Sequence, residues 1–138
     1  MPHHVVMSDS DEVSQRAKAR ALEARERADE AGRRAAELAS KPGRNSDPLA
    51  LDRSAAAADR AATLAKEGYR RAAQAERSAA RAHESVADSL EARAKRDTQD
   101  ASELHARAAE HREQARKHLE DAVIDERRLA ALMNKDLP

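Results

Sequence analysis

The sequence predicts an all-α fold: long alanine-rich helices in an antiparallel three-helix bundle, or a helical hairpin, with coiled-coil-like packing. Three observations lead there. Alanine, the strongest helix former, fills 34 of the 138 positions. Those alanines recur at steps of three and four, the period of one helix face. Only three glycines and four prolines occur, so the helices have few places to stop.

The first helix is expected over about 10–39, after a disordered extension at 1–9. Ser8, Asp9, Ser10 and Asp11 offer N-caps, and acidic residues suit the positive end of a helix dipole. Val13, Ala17, Ala21, Ala24, Ala28, Ala31, Ala35 and Leu38 trace a nearly strict heptad seam. Glu12/Arg16, Glu23/Arg27, Asp29/Arg33 and Glu30/Arg34 each set an acid four residues before a base. That is the favourable order on an exposed helix face. The start itself invites a hypothesis: residues 1–6 form a disordered extension or follow a misplaced start codon. An intact residue 2–6 peptide in mass spectra of the native protein would reject the misplaced start.

A loop over about 40–47 carries Pro42 and Gly43 and ends at Ser46 or Asp47, which cap the next helix beside Pro48. So short a connection favours antiparallel neighbours. The second helix is expected over about 48–95. One of its seams runs through Leu51, Ala55, Ala58, Ala62, Ala65, Tyr69, Ala72, Glu76, Ala79, His83, Val86 and Leu90. A second runs through Ala57, Ala61, Leu64, Gly68, Ala72, Ala75, Ala79, Ala82 and Val86. Two overlapping seams give a broad apolar arc, so this helix is expected at the centre, touching two neighbours. Gly68 lies mid-seam with no cap after it, which reads as a close backbone approach or a mild bend.

The next break is weaker. The heptad phase slips between Leu90 and Ala94, and Arg96-Asp97-Thr98-Gln99-Asp100 supplies caps without Gly or Pro. A turn near Asp97 is the expectation, with a third helix over about 98–133 and a tail at 135–138. The inward face of that helix is read as Ala101, Leu104, Ala108, His111, Ala115, Leu119, Ala122, Leu129 and Leu132. The alternative is one unbroken helix from Pro48 to Met133, roughly 130 Å long at 1.5 Å per residue. Residues 10–134 thus form one helical domain.

Leu, Ile, Val and Phe together number 17, and Tyr69 is the sole aromatic residue. Alanine seams bury about a third of what leucine seams do, so a lone bundle would be marginal. A homo-oligomer is therefore expected, with a helical protein partner as a further possibility. The expected interaction face is Tyr69, Val86, Leu90, Leu104, Leu119, Leu129 and Leu132. Leu90→Asp or Leu104→Asp should then dissociate or unfold the protein.

The candidate chemistry is narrow. His83, His111 and His118 fall near helix seams, where protonation would place like charges in a packed interface; they form a possible pH-sensitive seam. Neither HExxH nor ExxH occurs, so no metal ligand set is assigned, and a His/Glu metal site in an oligomer is the third reading. The carboxylates nearly all have a base three or four residues away and read as solvated pairs. Cysteine is absent, removing thiolate and disulfide chemistry, and GxxxxGK[ST] is missing. No catalytic residue and no cofactor is expected.

Charge excludes more. The 26 basic and 26 acidic residues cancel and interleave, which argues against nucleic-acid binding. No apolar run suits a membrane span, and alanine faces insert poorly into membranes. No secretory signal is visible, so a cytoplasmic location is the default. In composition the chain resembles late-embryogenesis-abundant-like stress proteins, although no 11-residue repeat recurs. That resemblance implies the alternative function, a protectant partly disordered when dilute. The leading function is a non-catalytic structural or interaction module that self-associates through its Ala/Leu seams.

Overall fold

The protein is all-α. A computed structural model describes residues 9–40 and 47–135, together with the side chains in them apart from Asp9, Ser10, Asp11 and Val13. The expected extension, the first N-cap and the interior of the 40–47 loop lie outside the described residues. Three helices follow in order: α1 Asp9–Ser40, α2 Pro48–Arg96 and α3 Ala101–Asn134. They form an antiparallel bundle with α2 in the middle, packed against α1 on one side and α3 on the other. No strand occurs among the described residues.

The helix ends follow from their residues. Asp47 caps α2, its carboxylate accepting from the Leu49 N–H at 3.1 Å, with Pro48 in the first turn. Arg93, Lys95 and Arg96 fill the last turn of α2, where cations meet the negative end of the dipole. The chain does turn near Asp97. Asp97 takes extended backbone, donates its N–H to the Arg93 carbonyl at 2.9 Å, and accepts from the Gln99 N–H at 3.2 Å. This Asx turn uses up Thr98 and Gln99, so α3 starts at Ala101 and not at the expected 98. One continuous 130 Å rod is excluded.

The core is built of methyl groups. Ala21, Ala28, Ala65, Ala72, Ala87, Ala108 and Ala122 are completely buried. Among the described residues, three large apolar side chains join them: Tyr69, Leu90 and Leu104. The two leucines sit at the turn end with Ala87, Ala94 and Ala108. Burying a methyl stabilises by only about 0.8 kcal/mol, against about 1.5–3 kcal/mol for a leucine side chain. The fold compensates by bringing backbones together. A Cβ placed on Gly68 would lie 2.6 Å from the Ala28 Cβ and 2.9 Å from the Ala24 carbonyl oxygen. Gly68 is therefore the point where α2 and α1 touch, the close approach expected from its place in the seam.

The expected interaction face is mostly absorbed by the chain's own fold. Tyr69, Leu90 and Leu104 are buried between helices, and Val86, Leu119, Leu129 and Leu132 are half-buried. In the row facing α2, the place expected for Leu119 is taken by His118.

Candidate functional site

Heptad rows carry polar residues into the bundle. On α2 the row stepping by seven is Tyr69, Glu76, His83, Leu90. On α3 it is Leu104, His111, His118, Asp125, Leu132. Antiparallel packing matches the rows level by level. Leu90 clusters with Leu104, His83 bonds His111, Glu76 bonds His118, and at the last level the Asp125 charge acts on Tyr69. The three histidines singled out in the sequence thus do converge.

The polar chain is continuous across all three helices. The ring of His111 meets that of His83, Nδ1 to Nδ1, at 2.9 Å. His83 Nε2 lies 2.7 Å from Ser14 Oγ on α1, and Ser14 Oγ lies 3.3 Å from His118 Nε2. His118 Nδ1 then reaches Glu76 Oε2 at 2.6 Å. Arg25 of α1 continues the chain. It donates to Glu76 Oε1 at 3.5 Å and forks onto both oxygens of Asp125 at 2.8 and 2.7 Å. The His83 and His118 rings stack with centroids 5.4 Å apart.

This chain fills the middle of the interior. His118, Glu76 and Asp125 are the largest fully buried side chains, and no buried side-chain nitrogen or oxygen among the described residues lacks a partner. Such satisfaction is what a buried polar group requires, since an orphaned one costs about 1–3 kcal/mol. The Arg25 guanidinium is pushed well above its ordinary range, first by its hydrogen bond to Asp125, then against the opposing effect of burial. Its fork onto Asp125 is the strongest pairing geometry available to a carboxylate. Nearby, Tyr69 donates its hydroxyl to Asp29 on α1, and the Arg128 guanidinium lies 5.9 Å from its ring centre. Burial and the Asp29 bond push the Tyr69 hydroxyl up to about 12.

Two readings of the sequence need correction here. Solvated pairing does not explain every carboxylate: Glu76 and Asp125 are buried. The closest base to each comes from another helix: Arg25 of α1 pairs with both, while Arg128 of α3 stands 3.9 Å from Asp125. Ser14, Arg25 and Asp125 were not singled out at all. The signal for Asp125 was present, because it continues the seven-residue row of Leu104, His111 and His118. Ser14 likewise begins the seven-residue row of Ala21 and Ala28, whereas for Arg25 no signal lay within α1 itself.

Hydroxyl, imidazole and carboxylate in line (Ser14, His118, Glu76) is the order of an acyl-transfer relay. Here Ser14 is buried and also bonded to His83, and a substrate would need to reach it. Among the described residues no group of three or more His, Asp or Glu side chains is arranged to hold a metal ion. No described helix is long and apolar enough to cross a membrane.

A second feature is open. Between α1 and α2, on the face turned away from the polar chain, runs a groove of about 940 Å³. Ala24, Ala31, Ala57, Ala61, Leu64, Gly68 and Ala75 floor it, so the second seam read on α2 lines it. From Ala57 to Ser78 it extends roughly 30 Å at 1.5 Å per residue. Its α1 rim carries Arg20, Glu23, Arg27, Glu30 and Arg34, and its α2 rim carries Arg60, Glu67 and Arg71.

In comparisons with known proteins, no family model matches the chain, and neither a curated protein nor a solved structure does.

Proposed function

We propose that the chain is a non-catalytic helical module that self-associates, two copies closing their α1–α2 grooves on each other. The observation that carries this reading is the open alanine-floored groove, with Leu64 more than half exposed on its floor. Its shape suits helices laid along it, the mode in which an amphipathic helix settles into a groove. Small floor residues let the axes approach closely, as Gly68 already does within one chain.

Charge along the rim favours a second copy as the occupant. Arg20, Glu23, Arg27, Glu30, Arg34 and Glu37 alternate in sign at steps of three and four. An antiparallel two-fold between Ala28 and Asp29 sets Arg27 against Glu30, Glu23 against Arg34, and Arg20 against Glu37 of the other copy. Every pair is opposite in sign. The other possible two-fold, parallel to the helices, lays α1 on the partner's α2. Gly68 lies level with Ala28, and Gly32 level with Ala65. That arrangement therefore sets Glu30 near Glu67 and Arg27 near Arg71, like on like. Exposed ion pairs contribute about 0–1 kcal/mol each, so they select the register while apolar burial supplies affinity.

Light scattering at micromolar concentration tests this. A dimer, twice the 15.1 kDa chain mass, is expected. Leu64→Glu should give a monomer of unchanged helicity. Glu30→Arg should weaken the dimer by placing two arginines together, and adding Arg27→Glu should restore it. A wild-type monomer of 15.1 kDa would refute the proposal.

A further inference from the structure

We infer that the buried chain His111–His83–Ser14–His118–Glu76 is a proton relay, carrying one proton from the surface to a sealed imidazole–carboxylate pair. Counting donors fixes its direction. The Glu76 carboxylate takes a hydrogen bond from Arg25 and accepts another at 2.6 Å, so His118 holds its proton on Nδ1. A neutral His118 then presents a bare Nε2, and Ser14 supplies the hydroxyl proton to it across 3.3 Å. The Ser14 oxygen in turn accepts from His83, which therefore carries its proton on Nε2. That leaves His83 Nδ1 as an acceptor, filled by Nδ1–H of His111 at 2.9 Å. Every donor points the same way, from His111 toward Glu76. Reversing Ser14 toward His83 would leave lone pairs of Ser14 Oγ and His118 Nε2 facing each other.

Such a chain moves charge without moving atoms far. His111 is half-buried, the ring of the three that reaches the surface. A proton taken from water at His111 Nε2 releases the Nδ1 proton to His83 Nδ1. His83 passes its Nε2 proton to Ser14 Oγ, and Ser14 passes its own hydroxyl proton to His118 Nε2. Each broken N–H or O–H bond leaves its electron pair on the atom that accepts the next hydrogen bond. Water supplies one proton and the chain ends with one more. The product is a doubly protonated His118 against Glu76, a neutral His111, and a His83 whose proton has moved from Nε2 to Nδ1. The three hydrogen bonds between His111 and His118 survive reversed, and the bond from His118 Nδ1 to Glu76 keeps its direction. Among the described residues, the charged and titratable groups facing the array include Arg25 from α1, Glu76 and His83 from α2, and His111, His118, Asp125 and Arg128 from α3.

Nitrogen-15 spectra of histidine-labelled full-length protein read the tautomers directly. At the alkaline end His111 and His118 are expected as Nδ1–H and His83 as Nε2–H. Through the first protonation step His83 is expected to stay neutral yet switch to Nδ1–H, as His118 gains its second proton. Ser14→Ala should abolish the switch at His83, and Ser14→Thr, which keeps the hydroxyl, should retain it. Far-UV circular dichroism checks that both variants fold, and the wild-type pattern stands as a test even where one does not. A His83 that keeps one tautomer through that step, a first proton resident on His111, or a switch that persists in folded Ser14→Ala would overturn the inference.

Discussion

The two interfaces of α2 solve the same shortage of bulky side chains in opposite ways. Toward α1, helices are drawn together until Gly68 lies on Ala28, a contact of methyls and backbone flanked by the polar links Ser14–His83, Arg25–Glu76 and Asp29–Tyr69. Toward α3, the rows carry larger groups: leucines at the turn end, then histidines and carboxylates held by hydrogen bonds. Close approach needs small side chains and tolerates no added atom. Polar filling accepts volume but demands that every donor meet its acceptor. A chain this rich in alanine uses both, on adjacent faces of one helix.

Substitutions at the two interfaces should separate these solutions. The largest effect is expected from Asp125→Ala, which leaves the Arg25 fork without its main acceptor. Removing one partner of a buried pair costs about 3–5 kcal/mol, and partial exposure of Arg25 points to the lower end. Thermal unfolding should show a midpoint lower by roughly 10 °C. Next comes Gly68→Ala. In an ordinary helix that change gains about 1 kcal/mol. Here the new methyl meets Ala28 at 2.6 Å, so a net loss of about 1–3 kcal/mol is expected in urea unfolding. A gain in stability would show that the close approach is not tight.

A smaller effect belongs to Tyr69, whose buried hydroxyl is pushed up to about 12 from an ordinary 10.0. The unfolded chain releases this proton first, so the stabilisation is whole below pH 10 and is lost as pH rises toward 12. Urea midpoints measured over that range should decline in the wild type, and Tyr69→Phe should remove this component of the decline. The smallest effect is expected at the outer edge of the α2–α3 pair. Arg112 holds the Glu91 carboxyl below its usual range through a hydrogen bond in open solvent. Arg112→Ala should leave the thermal midpoint unchanged within error, because water replaces the lost partner.

Much of this arrangement was legible in the residues. The alanine seams, the separation of α1 from α2, the turn at Asp97, the central position of α2 and the close contact at Gly68 all follow from local spacing. His83, His111 and His118 could be placed near seams for the same reason. What they meet could not be read, because register between helices is a property of pairs. Arg25 sits among Glu23, Glu26 and Asp29 and looks solvated in its own helix. Only the heights of α1 and α3 against α2 bring it to Asp125. Ser14 stands seven residues before Ala21 and so could be placed on the inner row, but the histidines it meets there come from other helices. On α3 the seven-step row from Leu104 was stronger evidence than hydrophobicity alone, which favoured Leu119 over its neighbour His118.

One consequence concerns how this chain tolerates change. Ordinary cores accept exchanges among aliphatic residues of similar volume. Here the largest interior positions are His118, Glu76 and Asp125, and most of the remainder are alanines that already touch. A hydrocarbon of matching size at the first three would strand its neighbours' hydrogen-bonding groups, and one at the alanines would wedge the rods apart. Conservative drift among oily residues, the commonest freedom of a protein interior, is therefore largely closed to this one, and its variability should lie on the outside.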